Sequence, residues 1–322
     1  MNSYTEYFGI DISKQTFDVV NQSGKHWQYE NTPKGFLKFK RTIKVDSICV
    51  MEATGIYHLP LAKYLHSKDV NISVVNPTRI KRYSQMTLNR NKTDKSDAKI
   101  ISSYAQNQEV ELWKPAPDLI EQGKDLVQII EQYIEFRAGL KNKKDGLKSK
   151  NSTKSLIKII EDQIDSISIE IDELQQKLIQ MVKEYDSKLL QNITSIVGIG
   201  QNTAALLILS SDGFINFDSA KQLCSYFGLA PTEYSSGTSI NGSRKISKMG
   251  NPLVRKKLFM CSLQASRYNK SCIDLYQRLL AKGKPKKVAL IAVVNKLLKI
   301  VFAISKSGLP YDREYKSFVV KR

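Results

Sequence analysis

Four acidic residues in the first hundred positions have types and spacings that could bind metal ions. Asp11 ends one apolar run, and Glu52 directly follows another at Ile48 to Met51. Asp94 and Asp97 stand at a predicted helix start, where a spacing of three puts both on one helical face. Converging carboxylates repel each other unless cations neutralise them, and hard oxygen ligands suit Mg²⁺ or Mn²⁺. Two such ions about 4 Å apart could stabilise the attacking and leaving oxygens of a phosphodiester displacement.

Each acid also has an ordinary structural explanation. Asp11 alone fits a turn, and Asp94 fits a helix N-cap beside Thr93. Glu52 is harder to explain in this way, because strand ends at a sheet edge are common site positions. Taken together, and in the predicted order of strands and helices, the four acids indicate a metal site.

The elements that must position these acids alternate between strand and helix. The predicted order is β-β-β-α-β-α-β-α, which is that of the RNase H-like fold, a mixed sheet with helices on both faces. The predicted strands are Tyr7 to Ser13, Thr16 to Val20, His26 to Tyr29, Ser47 to Met51 and Ile72 to Val75. The first and fourth strands are neighbours in such a sheet, so Asp11 and Glu52 are expected to converge.

Three segments of this region resemble the DEDD transposases. They are Gly-Ile-Asp-x-Ser-Lys at Gly9 to Lys14, Glu-Ala-Thr-Gly-x-Tyr at Glu52 to Tyr57 and Asn-Lys-Thr-Asp-x-x-Asp-Ala at Asn91 to Ala98. The family comprises insertion-sequence enzymes with a RuvC-like N-terminal domain, related to the Piv-type DNA invertases. The resemblance implies a catalytic tetrad that binds Mg²⁺, with Mn²⁺ as the alternative: Asp11, Glu52, Asp94 and Asp97.

The resemblance continues into a second, serine-bearing domain. Gly228 to Pro231, Tyr234 to Gly237 and Ile246 to Asn251 match it, and Ser236 falls where the family places its nucleophile. That serine is proposed to hold one DNA strand as a phosphoserine ester. Without the family, a Ser-Ser-Gly-Thr-Ser run is typical of a flexible turn. Ser235 and Ser239 also leave the register open.

Basic residues that follow this serine, and a separate glycine turn earlier in the chain, could contact phosphates. A serine nucleophile needs positive charge to steady a pentavalent phosphorus. Ile196 to Thr203 is predicted to form a helix-hairpin-helix turn whose glycines let backbone N–H groups approach a phosphate; a plain tight turn is the alternative. A following helix has a basic face suited to backbone contact rather than base reading. The predicted nucleic-acid-binding residues are Gly198, Gly200, Arg244, Lys245, Lys248, Arg255, Lys256 and Lys257.

The middle of the chain is predicted to consist of long helices. A linker at Lys114 to Pro117 precedes a helix at about Leu119 to Leu147, and a heptad seam from Ile160 to Tyr185 indicates a coiled coil. The first helix could pair with the seam or with a second protomer. Eight basic residues and one acid between Arg137 and Lys158 fit either a solvated tip or a nucleic-acid contact. The predicted domains are 1–113 (RuvC-like), 114–190 (linker and coiled coil) and 191–322 (basic, mainly α-helical).

Charge and composition favour a nucleic-acid-associated protein and argue against a membrane protein. Fifty Lys and Arg against 31 Asp and Glu leave a net charge of +19, which favours a polyanionic partner. The longest apolar stretch, Val288 to Ile304, is interrupted by Asn295, Lys296 and Lys299, and the N-terminus is polar. No membrane span is therefore expected. Four cysteines without CxxC spacing favour a reducing compartment, and a cytoplasmic, nucleoid-associated protein of a bacterium or archaeon is predicted.

The leading hypothesis is an insertion-sequence transposase that cleaves and exchanges DNA strands. The resemblance implies donor and target DNA chosen by a structured bridge RNA, and dimers or tetramers around the two DNAs. A junction-resolvase-like nuclease is the main alternative; it would use water, with Ser236 only structural. A nucleic-acid-binding scaffold with a degenerate nuclease fold is a third hypothesis, and the presence of all four acids argues against it. An actin-like ATPase would need a second glycine loop between strands, and the sequence shows none.

Overall fold

The computed structural model describes residues 4–53, 55–87, 93–232, 235–236, 240–241 and 245–314. It divides into two compact units, Met1–Pro115 and Ala116–Arg322. The division falls within the segment predicted as a linker. The long helices belong to the second unit, and the three-part division of the chain stays a prediction.

The first unit contains a five-stranded mixed sheet in the order β3-β2-β1-β4-β5. The strands are β1 (Glu6–Ile12), β2 (Thr16–Asn21), β3 (His26–Glu30), β4 (Ser47–Glu52) and β5 (Asn71–Val75). The first three pair in antiparallel fashion, whereas β4 runs parallel to both β1 and β5. The predicted mixed sheet is confirmed.

Helices cover both faces of this sheet, as predicted. They are α1 (Pro33–Lys40), α2 (Leu59–His66), α3 (Pro77–Met86) and α4 (Asp94–Asn107). Successive side chains of a strand point to opposite faces. One face therefore packs Ile10 and Met51 against Phe39 of α1 and Leu61 of α2. The other face supplies Val50 to a core that it shares with α3 and α4.

The second unit begins with a long antiparallel helical hairpin. Its arms are α5 (Asp118–Ser149) and α6 (Lys154–Thr194). Heptad positions such as Ile164, Ile167 and Ile171 are buried. Near the turn, Glu161 of α6 lies 3.6 Å from Lys148 of α5. The predicted seam therefore packs within one chain.

The rest of the second unit is mainly helical, as predicted. It contains α7 (Gln201–Ser210), α8 (Ala220–Tyr226), α9 (Pro252–Tyr268), α10 (Lys270–Ala281) and α11 (Lys286–Ser307). Among the described residues, α11 is the one helix long and apolar enough to cross a membrane by length and composition. In this structure its apolar residues lie in the core against α8, α9 and α10. The Lys296 ammonium donates to the Ser271 carbonyl oxygen at 2.6 Å.

Candidate active site

Two of the predicted acids lie side by side at the ends of neighbouring strands. The parallel pairing of β1 with β4 runs to Ile10 opposite Met51. The next residue on each strand is therefore Asp11 on β1 and Glu52 on β4. Both side chains are half-buried. Paired positions of adjacent strands project to the same face, so these carboxylates share one face of the sheet.

The other two acids reach this place on α4. Thr93 caps the helix by accepting a hydrogen bond from the Ser96 amide at 3.1 Å, so Asp94 and Asp97 lie in the first turn. Farther along α4, the Ser102 hydroxyl donates to the Tyr7 carbonyl oxygen of β1 at 3.4 Å.

The helix α4 crosses β1 at Gly9. A Cβ at Gly9 would overlap the backbone of both Ala98 and Ser102, so only glycine permits this close approach. Since Ser102 lies over Tyr7 and Ala98 over Gly9, α4 runs antiparallel to β1. Its first turn therefore lies near Asp11.

The electrostatics of Asp11 show the influence of the other three predicted acids. The pKa of its carboxyl is raised from 3.8 to about 6, first by burial and then by the charges of Asp97, Asp94 and Glu52. Desolvation and like charges both disfavour the ionised form. Glu52, Asp94 and Asp97 thus act on Asp11 through their charges in the folded chain.

The donor chemistry of this group fits a divalent cation. Carboxylate oxygens are the ligands that Mg²⁺ and Mn²⁺ prefer, and a bound cation would oppose the repulsion that raises the pKa of Asp11. Across the ranges that the structure describes, no three His, Cys, Asp or Glu side chains form a ready-made metal-binding group. Metal binding by these four residues thus stays a prediction.

Sequence reasoning missed a fifth acid beside this group. Asp18 of β2 is directly opposite Asp11 and is 4% exposed, and its charge also raises the pKa of Asp11. The Asp18 carboxylate contacts His26 Nε2 at 2.6 Å and accepts from Gln28 Nε2 at 3.2 Å. The one sequence signal was an acid within the apolar run of β2.

The motifs around the predicted serine lie against each other in the second unit. The Ser247 amide donates to the Ala230 carbonyl oxygen at 3.0 Å, and the Lys248 amide donates to the Gly228 carbonyl oxygen at 3.1 Å. Asn251 caps α9 by accepting from the Leu253 amide at 2.9 Å. Two of the three C-terminal motifs are thus joined by backbone hydrogen bonds.

The serine itself lies between these joined motifs along the chain. Short strands β6 (Pro231–Thr232) and β9 (Lys245–Ile246) pair with each other, as do β7 (Ser235–Ser236) and β8 (Ile240–Asn241). The Ser236 and Lys245 side chains and all of Arg244 lie outside the described residues.

Several predicted phosphate contacts have partners within the second unit. The Arg255 guanidinium donates to the Phe227 carbonyl oxygen at 3.1 Å. On α9, the Lys257 ammonium lies 2.7 Å from the Glu131 carboxylate of α5, and Lys256 lies 3.7 Å from it. These three basic side chains therefore help to hold the second unit together.

The predicted glycine turn joins two helices. Gly198 has a left-handed φ of 105° and lies against Ala265 of α9, and Gly200 is the N-cap residue of α7. A glycine suits the left-handed conformation because it has no Cβ. Phosphate binding by this turn stays a prediction.

Comparisons with known proteins match the sequence of this chain to transposases. Residues 8–147 match a family profile for DEDD transposases of the IS110 type, described as transposase. Residues 190–277 match the profile described as Transposase IS116/IS110/IS902 family. The first match includes all four predicted acids, and the second includes Ser236.

Full-length relatives extend the likeness over nearly the whole chain. The pilin gene-inverting protein of Moraxella lacunata is 31% identical over 95% of this chain and 98% of its own length. The protein of the same name from Moraxella bovis is 30% identical over the same shares. The transposase for insertion sequence element IS1111A of Coxiella burnetii is 22% identical over 92% of this chain and 88% of its own.

Proposed function

Because this chain belongs to the IS110/IS116/IS902 family of transposases, we propose that it is a metal-dependent recombinase that moves an insertion sequence. Enzymes of this family cut and rejoin DNA, and this chain is such an enzyme. The metal-dependent part of this proposal is supported by one observation: the charges of Glu52, Asp94 and Asp97 raise the pKa of Asp11. Four acids in one region are costly unless cations neutralise their charges there.

The sheet supports an RNase H-like, RuvC-type assignment for the first unit. Three antiparallel strands followed by two parallel ones, in the order β3-β2-β1-β4-β5, have the connectivity expected of that fold. The acids come from β1, β4 and α4, so the scaffold supplies three elements to one site. Site residues held on strands and helices are positioned more precisely than residues on loops.

In this proposal the four carboxylates hold Mg²⁺, with Mn²⁺ as a substitute. The bound cations would supply charge stabilisation for the phosphorus centre as the displaced oxygen leaves. Ser236 acts as the nucleophile: a bond forms between its Oγ and phosphorus, and the bond from phosphorus to a deoxyribose oxygen breaks. The serine proton ends on the released hydroxyl. The reverse reaction with another strand's hydroxyl rejoins the DNA and restores the serine.

Replacing the serine tests this chemistry against the junction-resolvase alternative. With Ser236→Ala we expect no covalent protein–DNA adduct and no strand exchange on a DNA that carries the element's ends, measured by denaturing electrophoresis. Ser235→Ala is the matched control and should keep both, since its hydroxyl is one residue away. A Ser236→Ala protein that still cuts DNA in Mg²⁺ would instead support a nuclease that uses water.

Guidance by a bridge RNA is part of the same proposal. A net charge of +19 accommodates RNA as well as DNA, and the resemblance to the family suggests the guide. RNA that co-purifies with the expressed protein should be a single transcript from the element's flanking region. Random cellular RNA in its place would remove this part of the proposal. The proposal also includes donor and target DNA as partners, a dimer or tetramer assembled on that DNA, and action in the cytoplasm.

A further inference from the structure

A row of polar side chains crosses the sheet and includes two of the four acids, Asp11 and Glu52. Asp11 of β1 pairs with Asp18 of β2, and Asp18 pairs with Gln28 of β3. Directly paired residues of antiparallel strands project to the same face. Glu52 of β4 continues the row on the other side of Asp11, so the row spans four strands.

Asp18 occupies a position that protein stability alone disfavours. It is almost fully buried, and the free energy that burial of a carboxylate costs is offset only in part by a contact such as the one with His26. Its cross-strand partner Asp11 is also an acid, and like charges directly opposite one another are destabilising. An apolar residue would suit the pattern of β2, in which Phe17, Val19 and Val20 are buried.

The neighbours of Asp18 hold its carboxylate firmly. One oxygen contacts His26 Nε2 at 2.6 Å, and the other accepts from Gln28 Nε2 at 3.2 Å. Both partners come from β3, on the side of Asp18 away from Asp11. The carboxylate therefore has a hydrogen bond to each oxygen, which fixes its position beside Asp11 without involving the four predicted metal ligands.

We propose that Asp18 is a positioning residue of the metal centre, a fixed charge next to Asp11 that strengthens the binding of divalent cations. The inference rests on the metal-dependent function proposed above. A second negative charge beside a ligand deepens the electrostatic attraction for a cation. Groups in the outer shell of a metal site commonly contribute 10- to 100-fold to metal affinity, and Asp18 acts on the predicted ligand Asp11 through its charge. The destabilising like-charge pair becomes favourable once a cation is bound.

The isosteric variant Asp18→Asn separates this role from a structural one. We expect the dissociation constant for Mn²⁺, measured by isothermal titration calorimetry on the full chain, to rise about tenfold. We also expect the melting temperature in chelator to change little, because removal of the like-charge pair opposes the loss of the charged contact with His26. A merely structural Asp18 predicts the opposite: a lower melting temperature and an unchanged Mn²⁺ affinity. That outcome would overturn the inference.

A second variant guards against misfolding of the first. His26→Gln keeps the Asp18 charge and replaces the ring with an amide that can still donate to the Asp18 carboxylate, so we expect an Mn²⁺ affinity that is not weakened even where the melting temperature in chelator falls. An Mn²⁺ affinity that falls as much as in Asp18→Asn would show that the network only supports the fold.

A third variant distinguishes failure of this inference from failure of the proposed function. Asp97→Asn removes a predicted ligand and should weaken Mn²⁺ binding more than Asp18→Asn does. If the unmodified chain binds no Mn²⁺, the metal-dependent function and this inference both fail. If Asp97→Asn weakens binding and Asp18→Asn does not, only the inference about Asp18 is wrong.

Discussion

At the scale of single residues, Asp11 links the site to pH. Its pKa is about 6 in the folded chain and 3.8 ordinarily, so the folded state binds more protons between these values. The stability of the metal-free protein should therefore fall as the pH rises from about 4 to about 6, and the loss should then level off. Asp11→Asn removes this contribution, because the amide does not ionise.

The measurement is urea unfolding in chelator at a series of pH values. The stability of Asp11→Asn relative to the unmodified chain should increase between about pH 4 and pH 6 and stay constant above. Glu109→Gln, which replaces an exposed carboxyl in the same unit, serves as the matched control. If the difference in the free energy of unfolding between Asp11→Asn and the unmodified chain does not change with pH, Asp11 is not buried and repelled as described.

At the scale of elements, the contact of α4 with β1 decides where Asp94 and Asp97 lie. Gly9→Ala would force a methyl group into the backbone of Ala98 and Ser102. We expect a loss of about 1–3 kcal/mol or more in the free energy of unfolding, together with loss of DNA cleavage because the first turn of α4 moves. Gly139→Ala, on α5 where an added Cβ meets nothing within 4 Å, should instead stabilise by about 0.5–1 kcal/mol. Equal effects in urea unfolding would refute the proposed close packing.

The same contact shows what sequence alone could and could not predict. The elements of the first unit followed from alternation and stop signals, such as Asn76 and Pro77, which cap and begin α3. Four of the five converging acids were found because they stand at element ends. Asp18 was missed because its neighbours depend on strand register, which the local sequence of β2 does not specify. The pairing of Glu131 with Lys257 joins helices far apart in the chain, and no local pattern marks it.

At the scale of the whole molecule, the excess positive charge is distributed unevenly along the chain. No acid occurs from Tyr234 to Ile273 or from Leu275 to Tyr311, and each stretch has eight Lys or Arg residues. Some of these charges pair with acids of the same chain: Lys256 and Lys257 both lie close to Glu131. Others, including Lys284, Lys286 and Lys287 before and within the first turn of α11, are exposed to solvent.

This difference predicts two separate effects of removing charge. Each phosphate contact contributes about 0.9 to the slope of log affinity against log salt concentration. Replacing Lys284, Lys286 and Lys287 together with Gln should therefore lower the slope for duplex DNA by up to about 3 units while leaving the melting temperature unchanged. Lys256→Gln with Lys257→Gln should lower the melting temperature, because the partly buried Glu131 loses both partners, and should change the slope less. A salt titration followed by fluorescence anisotropy measures both slopes. If the Lys256/Lys257 variant lowers the salt slope as much as the Lys284/Lys286/Lys287 variant does, then DNA displaces Glu131 and the lysines of α9 contact phosphates.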